Sequence, residues 1–178
     1  MEPHYTVGRT LFSGEAIGER VKSLAERIAS ETPAKELLVV GILNGAVFFL
    51  SDLVRQMPSE LDVKIDFMSI SSYGASTKSS GVVRILKDLG SGVEDRHVLI
   101  VEDIVDTGLT LSYLLDVMRT RRPAGLRTCV LLDKKEKRRI AVDIDYCGFA
   151  VPDEFVVGYG LDCGGKWRHL PDIHVVNF

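Results

Sequence analysis

Four consecutive apolar residues, Val98 to Val101, run straight into two acids, Glu102 and Asp103; a third acid, Asp106, precedes Thr107, Gly108 and Thr110. A short apolar run of this kind reads as a strand buried on both faces. The sequence predicts that this strand stops at Glu102 and that a helix follows from about Leu109 to Arg119. Strand, tight polar loop and helix start, in that order, restrict the chain to an α/β architecture. They also make a chemical statement. Backbone N–H groups at a helix start hold an anion, and carboxylates hold hydroxyls or a metal. Together they suit a phosphate ester that also carries sugar hydroxyls. Capping a helix needs one Asp or Thr, whereas this stretch supplies three acids and two threonines.

The rest of the chain repeats the same grammar. Ser13 is the expected N-cap of a helix to about Ser30, with Ile17, Val21, Leu24, Ala25 and Ile28 on one face. Leu37 to Leu43 reads as a buried strand, Asn44-Gly45 as a sharp turn, and Ala46 to Met57 as a helix stopped by Pro58. Val63 to Ile70 alternates like a strand and Val82 to Leu86 like its antiparallel partner, joined by the small, polar stretch Ser71 to Gly81, which is expected to be a mobile loop. Leu126 to Leu132, Ile144 to Ala150, Phe155 to Leu161 and Ile173 to Val176 are further strands, and Lys134 to Arg139 a short helix or loop. Alternation through residues 13–132 predicts a mostly parallel twisted sheet flanked by helices. Ligands of such sheets bind beyond the carboxyl ends of the strands. Asn44-Gly45, Glu102-Asp103 and Asp133-Lys134 all fall there.

Composition removes several classes of function. A chain of 178 residues is expected to form a single domain, 1–178. The formal charge of −3 leaves no electrostatic footprint for nucleic acid. Arg119, Arg121, Arg122 and Lys134 to Arg139 could supply a basic patch for an RNA-binding role. No apolar run approaches the ~20 residues of a membrane span. Met1 to Thr10 lacks the pattern of a signal peptide. Cys129, Cys147 and Cys163 form no Cys-x-x-Cys pair and read as reduced thiols, so a cytoplasmic location is expected.

Several motifs in order resemble one family. They are Leu43-Asn44-Gly45-Ala46, Ser72-Tyr73, Val101-Glu102-Asp103-Ile104-Val105-Asp106-Thr107-Gly108, Leu132-Asp133-Lys134, and Val151-Pro152-Asp153-Glu154-Phe155-Val156-Val157-Gly158-Tyr159-Gly160-Leu161-Asp162. The chain resembles a phosphoribosyltransferase of the hypoxanthine-guanine type over nearly its whole length. That resemblance implies the type I fold with a small hood formed by the terminal segments. It implies transfer of ribose 5-phosphate from phosphoribosyl pyrophosphate to a 6-oxopurine, with Mg2+ as cofactor and a homodimer or homotetramer as the assembly.

It also implies roles. Residues Glu102, Asp103, Ile104, Val105, Asp106, Thr107, Gly108, Leu109 and Thr110 line the ribose 5-phosphate, with Asp106 as general base for the purine N7 proton. Glu102, Asp103 and Asp162 are the metal-associated carboxylates. Lys134 reads the 6-oxo group, Phe155 stacks on the purine, and Val156 and Asp162 border its edge. Asn44, Gly45 and Arg168 face pyrophosphate, and Ser72 and Tyr73 begin a loop that closes over the site. Two departures stand out. Asn44 occupies a position where some members have lysine, and Cys163-Gly164-Gly165 replaces a tyrosine-containing segment. A cis peptide before Asn44 is a further family feature.

Overall fold

The apolar runs become the middle of a six-stranded sheet in the order β4-β3-β2-β5-β6-β7. Its strands are β2 (Glu36–Leu43), β3 (Asp62–Ser72), β4 (Val83–Lys87), β5 (His97–Val105), β6 (Gly125–Asp133) and β7 (Tyr146–Ala150). All neighbours are parallel except β3 and β4, which pair antiparallel as their sequence implies. The structure is a computed structural model describing residues 5–72 and 83–178. Tyr73 and most of the expected Ser71 to Gly81 loop lie outside those residues, and Ser72 is the last residue of β3.

Successive residues of the central strands pack into opposite faces, both of them buried, which explains their unbroken hydrophobicity. On one face Leu37, Val39, Leu99, Val101 and Leu131 pack with helices α1 (Gly14–Glu31) and α2 (Val47–Arg55). On the other, Leu38, Val40, Val98, Ile100 and Val130 pack with Leu111, Leu114, Leu115 and Met118 of helix α3 (Leu109–Thr120). A strand flanked by helices on both sides has no polar face to offer. Helix α1 buries the five residues that its spacing singles out, and the Ser13 hydroxyl accepts from Ala16 N at 3.2 Å. A cap of this kind is worth about 1 kcal/mol.

Three expectations need correction. β5 does not stop at Glu102: its ladder with β6 continues to Val105, opposite Asp133. The acids therefore ride on the strand itself, where the ladder fixes their direction. The strand expected over Phe155 to Leu161 shrinks to β8 (Val156–Val157). Positive φ angles at Gly158 (101°), Tyr159 (49°) and Gly160 (102°) end it. Finally, Thr6–Phe12 forms a strand, β1, that the sequence did not announce. It pairs with β9 (Ile173–Asn177), which also pairs with β8, making a three-stranded antiparallel hood from the two ends of the chain. No helix among the described residues is long and apolar enough to cross a membrane.

Candidate active site

The hood and the carboxyl ends of β5 and β6 enclose a cleft of about 280 Å³. Asp103, Ile104, Asp106, Lys134, Lys137, Phe155, Val156, Leu161 and Asp162 line it. Seven of those nine are residues that the sequence nominated; Lys137 and Leu161 are not. In the sequence Lys137 is one of the basic run Lys134 to Arg139. It stands three positions after Lys134, on the 3-10 turn Lys135–Lys137, and pairs with Asp153 at 2.7 Å.

Lys134 follows β6 directly, and its side chain is only 5% exposed. Its ammonium group stands 3.5 Å from Asp106 Oδ1, an ion-pair distance too long for a good hydrogen bond. That buried Oδ1 has no hydrogen-bond partner. Ammonium and carboxylate thus face the same small space, and the carboxylate oxygen has bonding capacity unspent. Across the cleft, Phe155 is 44% exposed, and its ring meets Phe178 edge-on at 5.7 Å. An aromatic face left open beside a cleft offers a stacking surface.

The turn between β5 and α3 explains why the acids there are not caps. The N-cap of α3 is Gly108, at φ 84°, with no side-chain cap. A Cβ there would also stand 2.6 Å from Ile140 O, so the position requires glycine sterically as well as conformationally. The N-terminal N–H groups of α3 carry partial positive charge, and Thr107, Gly108, Leu109 and Thr110 surround them. Glu102 and Asp103, one turn of chain upstream, are adjacent like charges. Burial, aided by the Asp103 charge, raises the Glu102 carboxyl well above the usual range. Burial pushes the Asp103 carboxyl up to about 6. Glu102 Oε2 is buried without a hydrogen-bond partner.

Asp103 connects this turn to the Asn44-Gly45 turn after β2. Any Cβ at Gly45 would overlap the Asp103 carboxylate, so the small residue is what lets the two segments touch. The Leu43–Asn44 peptide is cis. Asn44 is exposed and Gly45 buried. The hood reaches the same turn at Gly160, which lies against the Gly45 carbonyl. Tyr159 ties the hood to α2 by donating to Asp52 Oδ2 at 2.7 Å, a contact that the sequence did not reveal. Arg168 reaches the cleft only through Asp162, which it pairs at 2.7 Å, and it donates to Gly160 O. Asp162 also accepts from Gly165 N.

A cation would find oxygen ligands here. Glu102 and Asp103 are hard donors, and Glu102 Oε2 has no hydrogen-bond partner, though no group of three or more His, Cys, Asp or Glu could hold a metal among the described residues. Such a partial shell suits magnesium, which usually keeps waters and substrate phosphates as its other ligands. Most of the basic residues that an RNA-binding role could use are held in ion pairs. Arg119 pairs with Asp116, Arg121 with Asp88, Arg122 with Glu94, Lys137 with Asp153 and Arg138 with Asp133.

The phosphoribosyl transferase domain family matches residues 9–163. The chain belongs to this family. It is 47% identical to the hypoxanthine-guanine phosphoribosyltransferase of Aquifex aeolicus over 94% of each chain. It is 44% identical to the bifunctional protein TilS/HprT of Listeria innocua, covering 97% of this chain but only 26% of that protein's length. Among solved structures, the hypoxanthine-guanine phosphoribosyltransferase of Bacillus anthracis superposes with a TM-score of 0.90 at 41% identity, over 98% of this chain and all of that one. The parallel sheet flanked by helices is thus the expected phosphoribosyltransferase fold.

Proposed function

We propose that residues 1–178 act as one phosphoribosyltransferase domain, moving ribose 5-phosphate from phosphoribosyl pyrophosphate to hypoxanthine or guanine and releasing pyrophosphate. The observation that carries this reading is the Lys134–Asp106 pair in the cleft beneath Phe155. A 6-oxopurine presents O6 and N7 as neighbouring groups on one edge. Lys134 donates to O6, Asp106 takes the proton from N7, and the ring lies against Phe155 with Val156 and Asp162 at its border. Adenine has an amino donor at that position, which Lys134 repels.

The reaction asks the protein chiefly for charge and alignment. As the bond from ribose to pyrophosphate breaks, the sugar becomes positive and the leaving group negative. Asp106 to Thr110 hold the 5-phosphate at the start of α3, and Glu102 and Asp103 hold the ribose hydroxyls. Asn44, Gly45 and Arg168 face the departing pyrophosphate. With the donor fixed at both ends, attack by N9 gains from alignment rather than from a covalent intermediate. Glu102 and Asp103, with Asp162 nearby, would hold magnesium, which supplies positive charge to the diphosphate when bound. Ser72 and Tyr73 begin the loop that we propose closes over the site and excludes water, since hydrolysis would waste the donor. A cytoplasmic homodimer or homotetramer is the expected form.

Steady-state assays with phosphoribosyl pyrophosphate, magnesium and each of hypoxanthine, guanine, xanthine and adenine test the reading. Turnover is expected with hypoxanthine or guanine and not with adenine. Lys134→Ala should raise KM for the 6-oxopurine by about tenfold or more, the cost of a lost charged hydrogen bond. Absence of turnover with both hypoxanthine and guanine would refute the assignment, and adenine exclusion unchanged in Lys134→Ala would remove that lysine from base selection.

A further inference from the structure

The turn that we assign to the 5-phosphate has no side-chain cap of its own, so something else must hold it in shape. The segment after the 3-10 turn lies across its back. Arg139 N and Ile140 N both donate to Thr107 O, at 3.0 and 3.1 Å. The Arg138 Nε donates to Asp106 O at 3.1 Å, and its other branch binds the carboxylate of Asp133. The fork is enclosed: the Arg138 side chain is 17% exposed and that of Asp133 only 5%. Its stem lies flat on Gly108, where a Cβ would stand 2.9 Å from Arg138 Cδ.

From this geometry we infer that Arg138, braced by Asp133, is a positioning residue for phosphoribosyl pyrophosphate, one that turns the N–H groups of the 5-phosphate turn toward their anion. The inference rests on the reading of Asp106 to Thr110 given above. A trans peptide is planar, so its C=O and N–H point in opposite directions. Holding the Asp106 and Thr107 carbonyls against residues 138–140 therefore points the N–H groups of Thr107 and Gly108 the other way. Released, those carbonyls could swing toward the phosphate and repel it. Asp133 ends β6, sits opposite Val105 in the ladder and precedes Lys134, whose own N–H donates to Val105 O at 3.0 Å. One guanidinium thereby locks the phosphate turn to the strand end that carries the purine-reading lysine.

The test compares Arg138→Gln, Arg138→Lys, Asp133→Asn and Gly108→Ala with the parent protein. KM is measured for phosphoribosyl pyrophosphate and hypoxanthine, and binding for GMP and guanosine. Arg138→Gln should raise KM for phosphoribosyl pyrophosphate about tenfold or more while moving KM for hypoxanthine less than about twofold. It should weaken GMP but not guanosine. Lysine keeps the charge but cannot bridge two acceptors in the same plane, so Arg138→Lys should behave alike. Asp133→Asn should act in the same direction and add little to Arg138→Gln in a double variant. Recovery of phosphate affinity in Arg138→Lys would mean that charge alone matters and would overturn the proposal. So would a fall in melting temperature with phosphate affinity intact. Gly108→Ala separates the two readings: if it raises KM for phosphoribosyl pyrophosphate and the Arg138 variants do not, only the Arg138 role fails. If it too leaves KM unchanged, the phosphate turn itself is misassigned. Should Arg138→Gln not fold, Arg138→Lys and Asp133→Asn carry the same decision.

Discussion

The sheet has a cavity at each end, of nearly equal size and opposite chemistry. The cleft at the carboxyl ends is about 280 Å³, and the one at the amino ends, lined by His97, Arg127, Asp145 and Tyr146 among others, about 270 Å³. Volume does not tell them apart; satisfaction of polar groups does. At the amino end Glu31 accepts from Arg27 at 2.8 Å, Arg127 at 3.2 Å and Tyr146 Oη at 3.0 Å. Asp145 Oδ2 accepts from Thr128 N and its hydroxyl. At the carboxyl end Glu102 Oε2 and Asp106 Oδ1 are buried with no hydrogen-bond partner. The Arg27 hydrogen bond, followed by that of Tyr146, holds the Glu31 carboxyl below its usual range, whereas burial drives that of Glu102 above it. One end satisfies its polar groups within the protein, and the other leaves two buried carboxylate oxygens unpaired.

The largest expected difference between the ends is catalytic. Asp106→Asn keeps the shape of the residue and removes the carboxylate that we propose takes the N7 proton. Turnover should fall about 10²- to 10⁴-fold, the usual contribution of a general base. KM for phosphoribosyl pyrophosphate should change little, because the backbone of the turn remains. Unchanged turnover with hypoxanthine and guanine would show that the base lies elsewhere.

A second contrast concerns stability. The Asp103 carboxyl, near 4 in an unfolded chain, is raised to about 6 by burial in the folded protein. The folded state therefore prefers its neutral form, and stability drops as pH climbs from about 4 through 6. Asp103→Asn removes this ionisation. In metal-free protein above pH 6 it should gain up to about 3 kcal/mol, from two pH units at 1.36 kcal/mol each. The gain should vanish near pH 4, and activity should be lost. Thermal melts at pH 4 and 8 without magnesium check it; a lower melting temperature at pH 8 would show that Asp103 stabilises the fold. Stability surrendered at a functional site is a common trade.

What could be read in the sequence follows from the range of the forces involved. Helix α1 was legible because one buried face imposes its own spacing on Ile17, Val21, Leu24, Ala25 and Ile28. The end of β5 was misread because the apolar run stops at Val101 while the backbone ladder, which is indifferent to side chains, goes on to Val105. β1 escaped notice because no residue of Thr6–Phe12 is fully buried, and its register with β9 shifts twice. Asp103, Asp106, Lys134 and Phe155, which the family motifs single out, line one cleft. Arg138 did not stand out, since a run of basic residues looks solvated until the fold brings Asp133 beneath it. The Tyr159–Asp52 bond spans more than half the chain, and no local pattern encodes it.

The smallest effect belongs to the amino end, and it tests whether that cavity is a structural feature alone. Glu31→Gln leaves two acceptor positions short of charge but touches nothing in the cleft. Because Glu31 is exposed, solvent screens its ion pairs and the cost should be slight, a modest fall in melting temperature at pH 7. Its carboxyl lies below the unfolded value, so the stabilisation exists above the unfolded pKa and fades as pH falls through the folded one. The variant and the parent should therefore melt together in acid and separate toward neutrality. KM and kcat should both stay at parent values, because every partner of Glu31 sits at the far end of the strands from Asp106 and Lys134. A selective change in kcat, with the fold intact, would show that the two ends of the sheet are coupled, and the division between a satisfied end and an unsatisfied one would not hold.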